Sequence, residues 1–265
     1  MTAQKFKSDR RSPSIDNYHL IYYNSTQAHT FFCPPFDDVA SPIMSSPTKI
    51  SVLISGSGSN LQALINANTS TPPTLPNATF TRVISDRASA YGLQRATVAG
   101  IPTSTLGILP YKKRFPDSSG TPAFQQAREA YDADLAELVL QDKPDLIVCA
   151  GFMRIVTEKF LEPLDKAGVR IINLHPALHG DLVGAGCIER AWEEFEQGKR
   201  TKTGVMVHYV IAAVDKGEPI CQREVDMEGC KSLEELQERI HKVEHGLIVE
   251  GARKVAEEVV QKRVN

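Results

Sequence analysis

Nowhere does the sequence hold the roughly 20 consecutive apolar residues that a membrane-spanning helix needs, which excludes insertion by that route. Cysteine is scarce. The five residues, Cys33, Cys149, Cys187, Cys221 and Cys230, are odd in number, scattered and without a CxxC pair. Neither a disulfide framework nor a structural zinc site fits that spacing, whereas a reducing compartment does. An excess of positive charge is also missing: 30 Lys plus Arg stand against 32 Asp plus Glu, a net charge of -2. A protein that tracks nucleic-acid phosphates is not expected from that balance. The first residues contain no apolar signal core of about 7–15 residues and no acid-free Arg/Ser helix, so neither secretion nor organelle import is indicated. The expectation is a soluble cytoplasmic protein without nucleic-acid or membrane partners.

What is present suffices for a sizeable core: 265 residues, 42% hydrophobic, punctuated by 17 Gly and 16 Pro. Residues 1–48 stand apart, with Pro13, Pro34, Pro35 and Pro42, much Ser, Asn and Thr, a short aromatic patch and charges that cancel. They lack apolar periodicity and are expected to form a disordered extension, with Met44 as an alternative start. From Lys49 strand and helix signals alternate. Strands are expected at 50–54, 80–85, 102–106, 145–149, 169–174, 205–211 and 220–225. Helices are expected from 61, over 91–99, from 122, over 187–197 and from 232 to about 260. Ser59 or Asn60 is the expected cap of the first, and Pro122 opens the third, with Phe124, Tyr131, Leu135, Leu138 and Val139 on one face. Ser232-Leu233-Glu234-Glu235 is a capping box, and residues 109–120 read as a polar loop. The alternation predicts an α/β fold, one doubly wound and mostly parallel sheet, in a single domain over 49–265.

Three places could carry chemistry. Ser55-Gly56-Ser57-Gly58-Ser59-Asn60 joins a buried strand to a helix. Its glycines permit close backbone approach, and the free amides at the helix start form a phosphate cradle. It is not the dinucleotide fingerprint, since Leu61 takes the third glycine position, nor a P-loop, since Gly-Lys-Ser/Thr is missing. Alone, it is equally a structural turn. In Asn173-Leu174-His175-Pro176, residues two apart on a strand share a face, so Asn173 and His175 project together where Pro176 ends the ladder. That edge of an open α/β sheet is where ligands sit. Asn offers a neutral donor to an oxyanion and His a titratable proton carrier. Asp215, in an Asp215-Lys216-Gly217 turn past another apolar strand, is placed to orient and charge His175. Each also has a plain structural explanation as a packed histidine or an exposed turn.

Taken together in one order and spacing, residues 49–63, 150–155, 173–178, 207–210, Asp215 and Glu244-His245 resemble the glycinamide ribonucleotide formyltransferases of the folate-dependent formyltransferase family. The resemblance runs from about Lys49 to Lys254 and implies a Rossmann-like formyltransferase fold. It implies a catalytic trio of Asn173, His175 and Asp215. It implies that Gly56, Ser57, Gly58, Ser59 and Asn60 hold a substrate phosphate, with His241 and Glu244 near the ribose and glycinamide. Arg128, Phe152, Met153, Arg154, Ile155 and Val156 would line the folate pocket, the loop 210–217 would close on the pterin, and His208 would support structure. The implied reaction moves a formyl group from 10-formyltetrahydrofolate, as cosubstrate and without a metal, to the amine of 5'-phosphoribosylglycinamide in purine synthesis. The partners would be small molecules, the protein a monomer or weak homodimer.

Two departures from the family pattern stand out. His179-Gly180 follows Leu178 where the family commonly has a proline, which leaves the next loop freer, and Ala212-Ala213 replaces acidic residues before Asp215. Other functions use the same trio. A formyltetrahydrofolate hydrolase would take water as acceptor but has no use for a phosphate loop. A methionyl-transfer-RNA formyltransferase would need more chain than the residues 216–265 that follow Asp215. A nucleotide-binding regulator with an impaired site is the remaining alternative.

Overall fold

The computed structural model describes residues 46–115 and 122–264; the expected extension lies outside them apart from its last residues, where the first strand already starts at Thr48. Seven strands, β1 (Thr48–Ile54), β2 (Ala78–Ser85), β3 (Thr103–Thr105), β4 (Leu146–Cys149), β5 (Arg170–His175), β6 (Lys202–Tyr209) and β7 (Pro219–Asp226), form one sheet in the order β3-β2-β1-β4-β5-β6-β7. The pairs β1–β2, β1–β4, β2–β3 and β4–β5 are parallel, and β5–β6 and β6–β7 antiparallel. The helices are α1 (Ser59–Thr69), α2 (Tyr91–Val98), α3 (Leu109–Arg114), α4 (Pro122–Leu140), α5 (Glu158–Lys166), α6 (Cys187–Glu196) and α7 (Leu233–Val264).

Both faces of the central strands are covered, which is why β1 and β4 are apolar almost throughout. Side chains alternate between two cores. Ile50, Val52 and Ile54 of β1, Val148 of β4 and Ile172 of β5 pack with Leu61 and Leu64 of α1 and with Leu247, Ile248 and Val255 of α7. Leu53, Ile147 and Ile171, one residue out of step, pack on the other face with Tyr131, Leu135 and Val139 of α4 and Phe160 and Leu164 of α5. From β1 the chain winds outward through β2 to β3, then crosses back to β4 and β5. The switch in direction lies between β1 and β4, and their carboxyl ends open the crevice that such sheets use for ligands.

The sequence-based expectations need correction at four points. α1 starts at Ser59, and its cap is Gly58 in the left-handed region (φ 70), with no side-chain bond. Ser59 and Asn60 lie inside the first turn because the Asn60 carboxamide is engaged elsewhere. The loop expected over 109–120 contains α3, whose Pro110 sits in the first turn, where its missing N–H costs nothing. Tyr111 anchors that helix, buried edge-on against Tyr131 with its hydroxyl donating to Asp134. α5 was not foreseen: Pro163 lies within it, yet Phe160, Leu161 and Leu164 bury a stripe that outweighs the lost bond. At Ser232 the box is half formed. Its Oγ accepts the Glu235 N–H at 3.4 Å, but the Glu235 carboxylate accepts from the Lys231 N–H (2.8 Å) instead of returning to Ser232.

Candidate active site

Asn173 and His175 emerge at the carboxyl end of β5, opposite His208 and Met206 of β6. Nε2 of His175 lies 2.8 Å from the Leu182 carbonyl, so that nitrogen carries a proton and donates. Nδ1 faces Asp215 Oδ2 at 3.5 Å. The Asp215 contact is longer than the 2.7–3.2 Å of a strong N–H···O bond. His208 fills a different role. Its Nδ1 donates to its neighbour's carbonyl at Tyr209 (2.9 Å), and its Nε2 sits between Asn173 Nδ2 at 3.2 Å and Asp215 Oδ1 at 3.6 Å. One amide hydrogen of Asn173 is thereby fixed and the other remains. His208 is 2% and His175 4% exposed, so neither ring is free to turn.

Asp215 sits in the left-handed region (φ 54), which Asp tolerates better than most residues. Gly217 makes this turn possible: a Cβ there would lie 1.7 Å from the Tyr209 carbonyl oxygen. Burial by itself would push the Asp215 carboxyl up, but the His208 imidazole, the Gly184 N–H (2.8 Å) and the nearby His175 outweigh it and hold it below the usual carboxylate range.

At the carboxyl end of β1, Gly58 and Gly92 touch, and a Cβ on Gly58 would meet the Gly92 Cα at 2.5 Å. Arg95 of α2 braces the turn, its Nε donating to the Ser57 carbonyl at 2.9 Å. The first bond of α1 runs from Gln62 N–H to the Gly58 carbonyl, so the amides of Ser59, Asn60 and Leu61 have no acceptor within the helix. Gly56 and Ser57 are exposed. Asn60 Nδ2 donates to Glu244 Oε2 at 3.2 Å across the 184 residues that separate them, and Asn60 Oδ1 is buried with no protein partner. His241, one turn earlier on α7, is exposed.

The segment after β4 forms the opposite wall. Phe152 is buried, while Met153 and Ile155 are exposed at 72% and 56%. The Met153 N–H donates to Ser55 Oγ at 2.8 Å, which ties this wall to the glycine turn. Arg154 stacks 4.5 Å from the Tyr131 ring centroid and approaches Asp86 at 3.9 Å. Arg128 donates to the Ile155 carbonyl at 3.0 Å, and Val156 packs into the core below. The sequence reading missed Leu182, Gly184 and Cys187, which close over the histidine. Cys187 Sγ lies 3.6 Å from His175 Nε2 and 3.0 Å from the Gly184 carbonyl, and burial pushes its thiol up. Backbone contacts leave no mark in a sequence, although Gly184 and Gly186 ahead of a helix were a signal. Among the described residues, no group of three or more His, Cys, Asp or Glu side chains is placed to hold a metal ion.

An Asn–His–Asp group with a buried histidine, at the switch edge of a mixed sheet and with a backbone anion cradle alongside, can stabilise an oxyanion and move a proton, the requirements of acyl-type group transfer. The formyl transferase family model matches residues 48–251, and the chain belongs to that family. Within it, the chain is 49% identical over 204 residues to phosphoribosylglycinamide formyltransferase of Schizosaccharomyces pombe, covering 77% of this chain and 95% of that protein. Against the Saccharomyces cerevisiae enzyme of the same name it is 43% identical over 214 residues, 80% of this chain and 98% of the relative. Glycinamide ribonucleotide transformylase 1 from Symbiobacterium toebii superposes with a TM-score of 0.66 at 34% identity, covering 80% and 89% of the two chains.

Proposed function

We infer that the chain transfers the formyl group of 10-formyltetrahydrofolate to the amine of 5'-phosphoribosylglycinamide, a step of purine synthesis. The observation that carries this is the His175–Asp215 pair at 3.5 Å with the Asn173 amide fixed beside it. Phosphate settles on the amides of residues 56–60, whose exposed turn precedes the partner-free first turn of α1. Asn60 Oδ1 and the Glu244 carboxylate then face the acceptor's hydroxyl and amine donors. The donor's ring lies against Met153 and Ile155, an exposed apolar pair that a flat heterocycle would cover, with Arg154 and Arg128 nearby for its polar groups.

The neutral amine attacks the formyl carbon, forming the new C–N bond as the carbonyl oxygen becomes an oxyanion. The second Asn173 amide hydrogen donates to that oxygen, and the His175 ring, held between Leu182 and Asp215, stands beside it. Such a donor is worth roughly 3–4 kcal/mol. The bond from the formyl carbon to the folate nitrogen then breaks, and the proton lost by the amine passes to that nitrogen, with Asp215 as the relay. Substrates limited to small molecules, a cytoplasmic location and a monomer or weak homodimer belong to the same proposal; the balanced charge and the free cysteines of the described residues support the first two. Loss of 10-formyltetrahydrofolate, followed with and without 5'-phosphoribosylglycinamide, tests it. Turnover only with the acceptor supports transfer; equal turnover without it would make the chain a hydrolase; none at all would make it a regulator.

A further inference from the structure

We propose that Arg190 is a positioning residue for this reaction, stapling the backbone of residues 182–186 into the shape that keeps His175 and Asp215 together. The inference rests on the catalytic reading of that pair. Leu182-Val183-Gly184-Ala185-Gly186 has little to order it from within: Gly184 and Gly186 adopt φ 80 and 68, and Val183 is 40% exposed. Nevertheless every carbonyl in the run has a donor. Leu182 accepts from His175 Nε2 at 2.8 Å and Gly184 from Cys187 Sγ at 3.0 Å. Two of the other three belong to the guanidinium, Arg190 Nη2 donating to Val183 (2.7 Å) and Ala185 (3.1 Å), while Gly186 accepts the first helical bond from the Arg190 N–H (3.0 Å) with Nε also in reach at 3.3 Å. Nη2 also reaches Cys187 Sγ at 3.2 Å. Among the described residues Arg190 forms no ion pair within 4.0 Å, although its charge also acts on Asp181 and Cys187.

The run in turn holds both catalytic groups. The Leu182 carbonyl fixes the histidine tautomer, and the Gly184 N–H donates to the same Asp215 oxygen that faces His175 Nδ1. Its other end is pinned by Arg200, bidentate to Asp181 at 2.8 and 2.9 Å. This explains how the loop stays ordered with His179 in place of a proline. His179 is exposed and contributes only its N–H, to Gln222 at 3.2 Å. A planar fork that meets carbonyls on two sides cannot be reproduced by an ammonium group.

The test uses the full chain, with Arg190→Ala, Arg190→Lys and, as the reference for lost chemistry, His175→Ala. Steady-state kinetics is combined with hydrogen exchange at the Gly184 amide. A catalytic pair displaced by about 1 Å loses on the order of a hundredfold in rate, so Arg190→Ala is expected to lower kcat by roughly ten- to a hundredfold. KM for both substrates should stay within about threefold, since neither is contacted. The Gly184 amide should lose protection while Ile172 and Val207, in β5 and β6, keep theirs. Arg190→Lys should fall between, and millimolar guanidinium should restore turnover to the Ala variant alone. A kcat within about threefold of wild type, or a loss of kcat with Gly184 still protected, overturns the proposal, as does loss of protection throughout the sheet. If the Ala variant does not fold, Arg190→Lys carries both readouts. A wild type without transfer activity would sink the catalytic reading instead, while Gly184 exchange would still show whether the staple exists.

Discussion

Gly217→Ala concentrates the geometry of the site in a single methyl group. The added carbon would lie 1.7 Å from the Tyr209 carbonyl oxygen and 2.8 Å from its carbon, both backbone atoms of a sheet strand, and 3.4 Å from His208 Nδ1. The strand is held between β5 and β7, so the loop is the part that yields, and reaching even 3.0 Å demands a shift of more than about 1 Å. Asp215 is two residues away and moves with it, opening its 3.5 Å approach to His175 and its 2.8 Å bond from Gly184. A misplacement of that size costs about a hundredfold in kcat. Overpacking of this kind costs about 1–3 kcal/mol, which at about 2–4 °C per kcal/mol lowers Tm by about 2–12 °C. Stopped assays at saturating substrate and a thermal melt give both values. Gly246→Ala is the internal control, because its Cβ meets nothing within 4 Å and a helical alanine is favoured, so Tm should rise slightly with kcat unchanged. Wild-type kcat in Gly217→Ala would refute the placement of Asp215.

His175→Ala and Asp215→Asn should each lower kcat by at least about a hundredfold while circular dichroism stays native, and near-normal turnover in either would remove that residue from the chemistry. Asp132 is buried and accepts the Thr157 N–H at 2.6 Å, and burial raises its pKa, so its charge is unfavourable there. Asp132→Asn keeps an acceptor and should leave Tm unchanged or higher, whereas Asp132→Ala orphans the N–H and should cost about 1–3 kcal/mol in a denaturant titration. Bonds from Arg200 hold the Asp181 carboxyl below the usual carboxylate range. A lowered folded-state pKa stabilises at pH values above the unfolded pKa and loses that contribution as pH falls through the lowered one. Asp181→Asn should therefore lower Tm at pH 6, and the gap to wild type should close below about pH 4; a gap independent of pH would mean that the ion pair is not its cause.

The local signals in the sequence told the truth about the layers. The apolar runs of β1 and β4 are buried on both faces, and the helical face of Tyr131, Leu135 and Val139 is part of the core. Asn173 and His175 share a strand face because side chains alternate, and Pro176 marks the strand's end. The glycine turn after β1 was equally readable, since only residues without a Cβ permit the contact of Gly58 with Gly92. All of these are short-range consequences of side-chain shape and backbone period, so a sequence carries them in full.

What only the tertiary structure decided is made by groups that every residue shares, or by partners far apart in the chain. α5 forms despite Pro163 because Phe160 and Leu164 find a core on the sheet, and α3 forms because Tyr111 finds Tyr131. The expected cap at Ser59 or Asn60 gave way to Gly58, since the Asn60 carboxamide meets Glu244 on the last helix. The histidine tautomers are set by the carbonyls of Leu182 and Tyr209, and the carboxylate of Asp215 by the Gly184 amide. Backbone N–H and C=O groups have the same chemistry at every position. A sequence therefore cannot say which of them will meet a given side chain, and folding selects the match by bringing those groups into one buried place.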